Sequence, residues 1–153
     1  MELAVPETDQ VDELVELWVR LADGQRDHGS HLSAEENRQQ IRESMLRHIV
    51  ANRVLVADTG QIDGFVMFTT ETTDYVQDCT RGLIENLYVR PEARGEGIGS
   101  ALLQAAERQL SDAGVDTVTL EMMALNEDAR RFYRRHGYRP HRLELEKSLS
   151  DDP

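Results

Sequence analysis

NLYVRPEARGEGIGSALLQAAERQL, residues 86–110, is the stretch from which the rest of the chain is read. A strand-like run, Leu87-Tyr88-Val89, comes first. Pro91 stops it and opens a turn. Gly95, Gly97 and Gly99 then alternate with other residues, and a helix-like pattern follows. Glycines let backbone N–H groups approach an anion closely, and the following helix presents its positive end to the same place. The layout is that of a phosphate cradle, and three kinds come into question.

A nucleoside-triphosphate loop needs G-x-x-x-x-G-K-[ST], whose lysine reaches the terminal phosphates. GEGIGSALL has no lysine there, and that reading fails. A dinucleotide loop needs G-x-G-x-x-G. Gly95 and Gly97 fit, but Ser100 stands where the third glycine belongs. Glu121 lies at about the spacing of the acid that would hold a ribose. Yet too little chain follows to complete a wound domain. The third option is [QR]-x-x-G-x-[GA], here Arg94, Gly97 and Gly99. It fits a pyrophosphate nest, although a structural strand-to-helix turn could look the same.

A second motif lies downstream. NEDARRFYRRHGY, residues 126–138, supplies Asn126, Ala129, Phe132, Tyr133, Gly137 and Tyr138. The two motifs together resemble the GNAT superfamily of acetyl-CoA-dependent N-acetyltransferases. The resemblance is clear over residues 83–140. The N-terminal half, residues 1–80, matches only in element order and would form the acceptor side.

The element order comes from periodicity and punctuation. MELAVPE reads as a short strand. Asp9 caps a helix through about Ala22, with Val11, Leu14, Val15, Trp18 and Leu21 on one face. After the polar break DGQRDHGSHLS, Ser33 and Glu36 make a capping box for a helix striped by Ile41, Met45, Leu46 and Ile49. RVLVADT and IDGFVMFTTETT form a hairpin around Gly60. GLIENLYV is a strand, Gly97–Ala113 a helix, AGVDTVTLEMMAL a strand. Asn126 opens a short helix ended by Gly137. YRPHRLELEKSL alternates and reads as a closing strand, and the acidic end is expected to fray. The order β-α-α-β-β-β-α-β-α-β predicts one α/β domain over residues 1–153. Its sheet is mixed and mostly antiparallel, splayed at the acetyl-CoA site, with helices on both faces.

The resemblance implies roles. The backbone of Leu87, Tyr88 and Val89 would pair with the pantetheine arm where the sheet splays. The N–H groups of Arg94, Gly95, Glu96, Gly97, Ile98, Gly99 and Ser100 would bind the pyrophosphate, with the Ser100 hydroxyl added. Arg94 is either a charged contact or a loop brace; the plainer alternative is a surface arginine bridging Glu92 or Glu96. Asn126 would hydrogen-bond a pantetheine amide, and is also what a plain helix cap looks like. Tyr133 would protonate the departing thiolate. Its plainer role is a core aromatic beside Phe132. Glu85 and Glu121, carboxylates in otherwise apolar strands near the splay, are the candidates for deprotonating the amine. Glu121 looks like the glutamate that some ribosomal-protein N-terminal acetyltransferases use. Both also read as solvent-facing glutamates, and many family members lack a dedicated base.

The expected reaction is direct attack of a primary amine on acetyl-CoA, with no covalent enzyme intermediate. The acceptor would be a small amine, an amino acid or a peptide N-terminus. The alternative is a non-catalytic acetyl-CoA-binding regulatory module on the same fold; the intact Tyr133 favours the enzyme. The resemblance also allows a homodimer.

Composition narrows the partners. Seventeen basic residues face 29 acidic ones, for a formal net charge of −12. Only Lys147 is a lysine. Such a surface repels nucleic acid and anionic membranes. It resembles proteins adapted to high salt, where screening suppresses self-repulsion, but also an ordinary acidic bacterial protein. No apolar run approaches the ~18 residues of a membrane span. MELAVPETDQ has no signal-peptide pattern, and a soluble cytoplasmic protein is the default expectation. Cys79 is the only cysteine, excluding an internal disulfide, and it reads as a strand-end packing residue. His28 and His31 read as a solvated turn rather than a metal pair, so no metal is expected. Glu35, Glu36, Asp74 and Asp78 could attract a cationic amine, but such residues are common on a chain this acidic.

Overall fold

The computed structural model of the chain describes residues 2–150. The expectation of a frayed acidic end falls on residues 151–153, outside the described residues. Five strands form one sheet in sequence order: β1 (Glu2–Ala4), β2 (Val54–Asp58), β3 (Ile62–Thr70), β4 (Arg81–Val89) and β5 (Thr117–Leu120). The first four are antiparallel neighbours, and β5 runs parallel to β4. That parallel step needs a crossover, which α3 (Ile98–Asp112) supplies.

Strand alternation assigns the two faces of the sheet. Phe65 and Met67 of β3 point into a core with Leu14, Val15 and Trp18 of α1 (Val11–Arg26) and Met45 of α2 (Arg38–Val50). Val66 and Phe68 point the other way, against Ile98, Leu102, Leu103 and Leu110 of α3. α1, α2 and α3 each bury an apolar stripe of the kind a 3.6-residue period predicts. The expected hairpin at Gly60 joins β2 to β3.

Two helix starts differ from the sequence reading. Asp9 does not cap α1. It lies in a short 3-10 turn, Thr8–Gln10, whose box is closed by Glu7 and Gln10. The helix also runs through Arg26, because nothing in ADGQR forces a stop. The Ser33–Glu36 box does not form either. Glu35–Asn37 make a 3-10 turn instead, and the Asn37 amide donates to the Ser33 carbonyl at 2.6 Å.

The larger difference is at the C-terminus. Among the described residues no strand forms beyond α4 (Glu127–Arg135). Residues 139–149 are exposed, although their alternation is that of a strand.

Two irregularities meet on β4. Met67 pairs with Asn86 and Phe68 with Ile84, so Glu85 is an extra residue in a bulge. The β4–β5 ladder ends at Ile84 opposite Leu120, while β4 continues to Val89. From Glu85 onward β4 is therefore without a β5 neighbour, and the sheet is open there.

Candidate active site

The opening in the sheet lies just before the glycine loop. Gly95 and Gly97 have φ of +84° and +83°, a left-handed backbone that side chains resist. Gly97 caps α3 with no side chain bonded to the helix end, leaving first-turn N–H groups for another acceptor. The loop is braced on both sides. Arg94 Nε donates to the Val89 carbonyl at 2.9 Å, and its guanidinium lies 5.5 Å from the centre of the Tyr88 ring. These two contacts brace the loop, and Arg94 forms no ion pair with Glu92 or Glu96. On the other side, Ser100 Oγ lies 2.9 Å from His136 Nε2. A side-chain carbon added at Gly99 would meet the Phe132 ring at 3.6 Å.

These contacts tie the loop to α4. Asn126 caps that helix through its Oδ1, which accepts from the Ala129 N–H at 3.1 Å. Its side-chain N–H₂ keeps its donors for something else. Gly137, at φ +89°, ends the helix as expected. Tyr138 donates its hydroxyl to Glu107 of α3 at 2.7 Å. Tyr133 is held edge-on between two rings, with centroids 5.1 Å from Phe132 and 5.7 Å from Tyr138. Burial pushes the Tyr133 phenol up to about 12, so it keeps its proton at neutral pH. Its hydroxyl has no hydrogen-bond partner among the described residues. Burial, and then the bond to Glu107, also raises the Tyr138 phenol.

The two glutamates part company. Glu85 is half-buried in the bulge, 3.1 Å from His48 Nε2. His48 Nδ1 lies 2.7 Å from the Ser44 carbonyl. Both ring nitrogens therefore face acceptors, which requires a proton on each. The hydrogen bond to Glu85 raises the His48 pKa most, helped by Ser44 and opposed by burial and Arg47. Glu121 follows the last residue of β5 and is exposed. The expectation that both carboxylates sit within strands holds for Glu85 and fails for Glu121, because β5 ends at Leu120. No hydrogen bond or ion pair joins Glu121 to Glu85 or Tyr133.

Other singled-out residues find local roles. His31 bonds Glu146 at 2.8 Å, and Glu35 pairs with Arg38. Cys79 is half-exposed in the loop before β4, not at a strand end. Sequence reading missed His48, Glu107 and His136. Only His136 had a signal, its place inside the second motif beside Gly137. His48 meets Glu85 across 37 positions of chain, and no local pattern marks such a pair.

A sheet that opens beside a glycine-built anion nest, with a protonated phenol on the neighbouring helix, has the form of a coenzyme-binding α/β protein. Residues 50–140 match the acetyltransferase (GNAT) domain family, more than half of the chain. The chain belongs to the GNAT acetyltransferase family. It is 40% identical over 68 residues to aminoalkylphosphonate N-acetyltransferase from Salmonella typhimurium, a stretch that spans 44% of each chain. The chain therefore spans less than half the length of that relative. It is 28% identical over 134 residues to an uncharacterized N-acetyltransferase of Archaeoglobus fulgidus, covering 87% of this chain and 89% of that one. The fold is also that of a Bacillus halodurans protein solved as a tetramutant, with TM-score 0.82 and 21% identity over 97% of this chain and all of that one. A GCN5-related N-acetyltransferase from Ralstonia eutropha gives TM-score 0.75 and 22% identity over 97% of each chain.

Proposed function

We propose that this chain is an acetyl-CoA-dependent N-acetyltransferase that acts on a primary amine by direct attack. The observation that carries the reading is the open edge of β4 from Glu85 to Val89, which runs straight into the left-handed Gly95–Gly97 turn at the head of α3. An extended amide-bearing arm can pair with that edge, and a pyrophosphate can take the unpaired N–H groups at its end.

The residues present suit such a cosubstrate. Side-chain carbons at Gly95 and Gly97 would meet no other atoms within 4 Å, so the nest is open on that side. Arg130, Arg131, Arg134 and Arg135 make α4 locally basic on a chain of net charge −12. That field attracts an anionic cosubstrate. Leu87 and Tyr88 offer backbone groups for the arm, the amide of Asn126 offers another donor, and residues 94–100 offer N–H groups for phosphates.

Acetyl-CoA brings an acetyl group activated as a thioester. When the amine nitrogen bonds to the acetyl carbon, the C–S bond breaks. Tyr133 hands its proton to the departing sulfur, and the amine's surplus proton leaves on the acceptor side. There the candidate acceptors are Glu85, which lies 3.1 Å from His48 Nε2, and the exposed Glu121. The acceptor is a small amine, an amino acid or a peptide N-terminus. We also infer that the acidic, lysine-poor surface is an adaptation to salt and that the protein works in the cytoplasm.

The test is a thiol-release assay with acetyl-CoA against amines, amino acids, aminoalkylphosphonates and N-terminal peptides, at low and molar KCl. Turnover with at least one class is expected. Acetyl-CoA binding with no thiol release across the panel would identify a regulatory module instead.

A further inference from the structure

The bulge on β4 aims one carboxylate out of its strand's alternation. Directly paired residues share a face of the sheet. Asn86 opposite Met67 and Tyr88 opposite Phe65 therefore lie on the side of α1 and α2. Ile84, opposite Phe68, lies on the side of α3. Glu85 is the extra residue between these two registers. Continued back from Tyr88, strict alternation would turn it into the apolar core beneath α3. The bulge turns it to α2 instead, where it meets His48.

Its place along the strand matters equally. Ile84 is the last residue of β4 paired with β5, so Glu85 stands at the apex of the opening. An extended arm laid along β4 from Val89 inward reaches its end there. α2 belongs to the N-terminal half of the chain, the acceptor side. Glu85 thus faces the point where an acetyl group and an amine meet. Exposed Glu121, past the end of β5, has no imidazole beside it among the described residues.

His48 gives this carboxylate somewhere to send a proton. Its Nδ1 lies 2.7 Å from the Ser44 carbonyl oxygen, which can only accept, so Nδ1 keeps its hydrogen. The Ser44 hydroxyl is more distant, at 3.5 Å. The titrating position is therefore Nε2, 3.1 Å from Glu85 Oε1. When Nε2 is bare, its lone pair faces the carboxylate across an empty proton seat. Glu85 of β4 raises the His48 pKa most; burial opposes it, Ser44 assists and Arg47 of α2 opposes. The α1 carboxylates that reach α2, Asp12 and Glu16, are paired with Arg42 and Arg38 in the first half of that helix. β2 presents apolar Val54 and Val56 to the same side.

We propose that Glu85 and His48 work as one base: Glu85 takes the proton of the attacking amine on Oε2 and passes a proton from Oε1 to His48 Nε2. The inference rests on the acetyl-transfer reading above. An isolated glutamate titrates near 4.3 and an imidazole near 6.5, and a base works best when its pKa lies near the working pH. The relay therefore places an imidazole's basicity at a carboxylate's position. The N–H bond breaks as nitrogen bonds to the acetyl carbon. The C–S bond breaks, and the sulfur takes the Tyr133 proton. Water then returns a proton from His48 to Tyr133, so the cycle neither gains nor loses one. Glu85 is the group that meets the amine; His48 touches no substrate and is a positioning residue.

The test joins two titrations of the full chain. Nitrogen-15 NMR of the histidines follows His48 with pH, and thiol release with one amine gives kcat/KM over the same range, corrected for the amine's own ionisation. His48 should titrate above about 6.5, and lower in Glu85→Gln. kcat/KM should fall as pH drops through the wild-type His48 midpoint, because a protonated ring accepts nothing more. Glu85→Gln should lower kcat/KM about a hundredfold or more. His48→Gln keeps an N–H toward Glu85 but has no proton seat. It should lower kcat at least about tenfold and move the acid limb down by about one pH unit or more, since only a carboxylate is left. Circular dichroism checks the fold of both variants. A wild-type limb whose midpoint differs from that of His48 overturns the relay without any variant. So does an unmoved limb in His48→Gln, or full activity in either variant; in these cases the wild type still turns over and acetyl transfer stands. If the wild type releases no thiol with any amine, the acetyl-transfer reading falls and the relay falls with it.

Discussion

His48 and Glu85 bridge α2 and the β4 bulge, with Nε2 3.1 Å from the carboxylate. Both side chains are mostly enclosed, at 17% and 24% exposed, so the pair is less screened than a surface bridge. The His48 pKa is raised in the folded chain. Its contribution to stability is then complete below the ordinary histidine value of about 6.5, and is lost as pH rises through the raised folded value. Glu85→Gln should lower the melting temperature by roughly 2–4 °C at mildly acid pH, as a loss of ~1 kcal/mol does in a chain of this size. The difference should shrink as pH rises. A difference that stays constant across the range would mean that the bridge does not carry a titrating charge.

Tyr133→Phe tests the proton donor. The substitution keeps the ring between Phe132 and Tyr138 and removes only the hydroxyl, which has no hydrogen-bond partner among the described residues. Packing should therefore be conserved, and kcat should fall at least about tenfold with little change in acetyl-CoA affinity. An unchanged kcat would return Tyr133 to a purely structural aromatic.

Two glycines separate conformational need from bulk. Gly97→Ala places a side chain on a left-handed residue and should cost roughly 1–2 kcal/mol, with weaker acetyl-CoA binding besides. Gly24→Ala lies on the exposed face of α1 with open space around it. It should stabilise the chain by about 0.5–1 kcal/mol. Thermal melts of both variants check the contrast, and equal shifts would contradict it.

The salt reading has its own measurement. If the acidic surface is an adaptation to salt, the melting temperature should climb from low to molar KCl as repulsion is screened. The climb should exceed that of a variant carrying several surface Asp and Glu residues changed to Asn and Gln. No gain in molar KCl would leave an ordinary acidic protein.

The sheet, its two helical faces and the glycine turn were legible because they rest on local rules. Alternation in FVMF, the stripe of α3 and the positive-φ need at Gly97 are each written within a few residues. Helix starts were less legible, because Asp9 and Ser33 compete with neighbours that build 3-10 turns at similar cost. The final strand was misread because HRLELEKSL has the right alternation, while alternation cannot say whether an edge is within reach. The His48–Glu85 and Ser100–His136 pairs depend on tertiary approach, and no spacing announces them.

Ser100 and His136 form a latch between the anion loop and the end of α4, with Oγ and Nε2 2.9 Å apart. A hydrogen bond of this kind is worth about 1 kcal/mol net. Removing it frees the loop without touching Tyr133's hydroxyl. Ser100→Ala and His136→Ala should each raise KM for acetyl-CoA roughly three- to tenfold, with kcat nearly unchanged. If the two residues act through one bond, the double variant should be little worse than either single one. Additive losses would mean that each contacts the cosubstrate separately. His136→Gln keeps a donor near Ser100 and should recover part of the loss. A recovery in KM would assign His136 to positioning the loop, whereas no recovery would mean that the imidazole ring itself is needed.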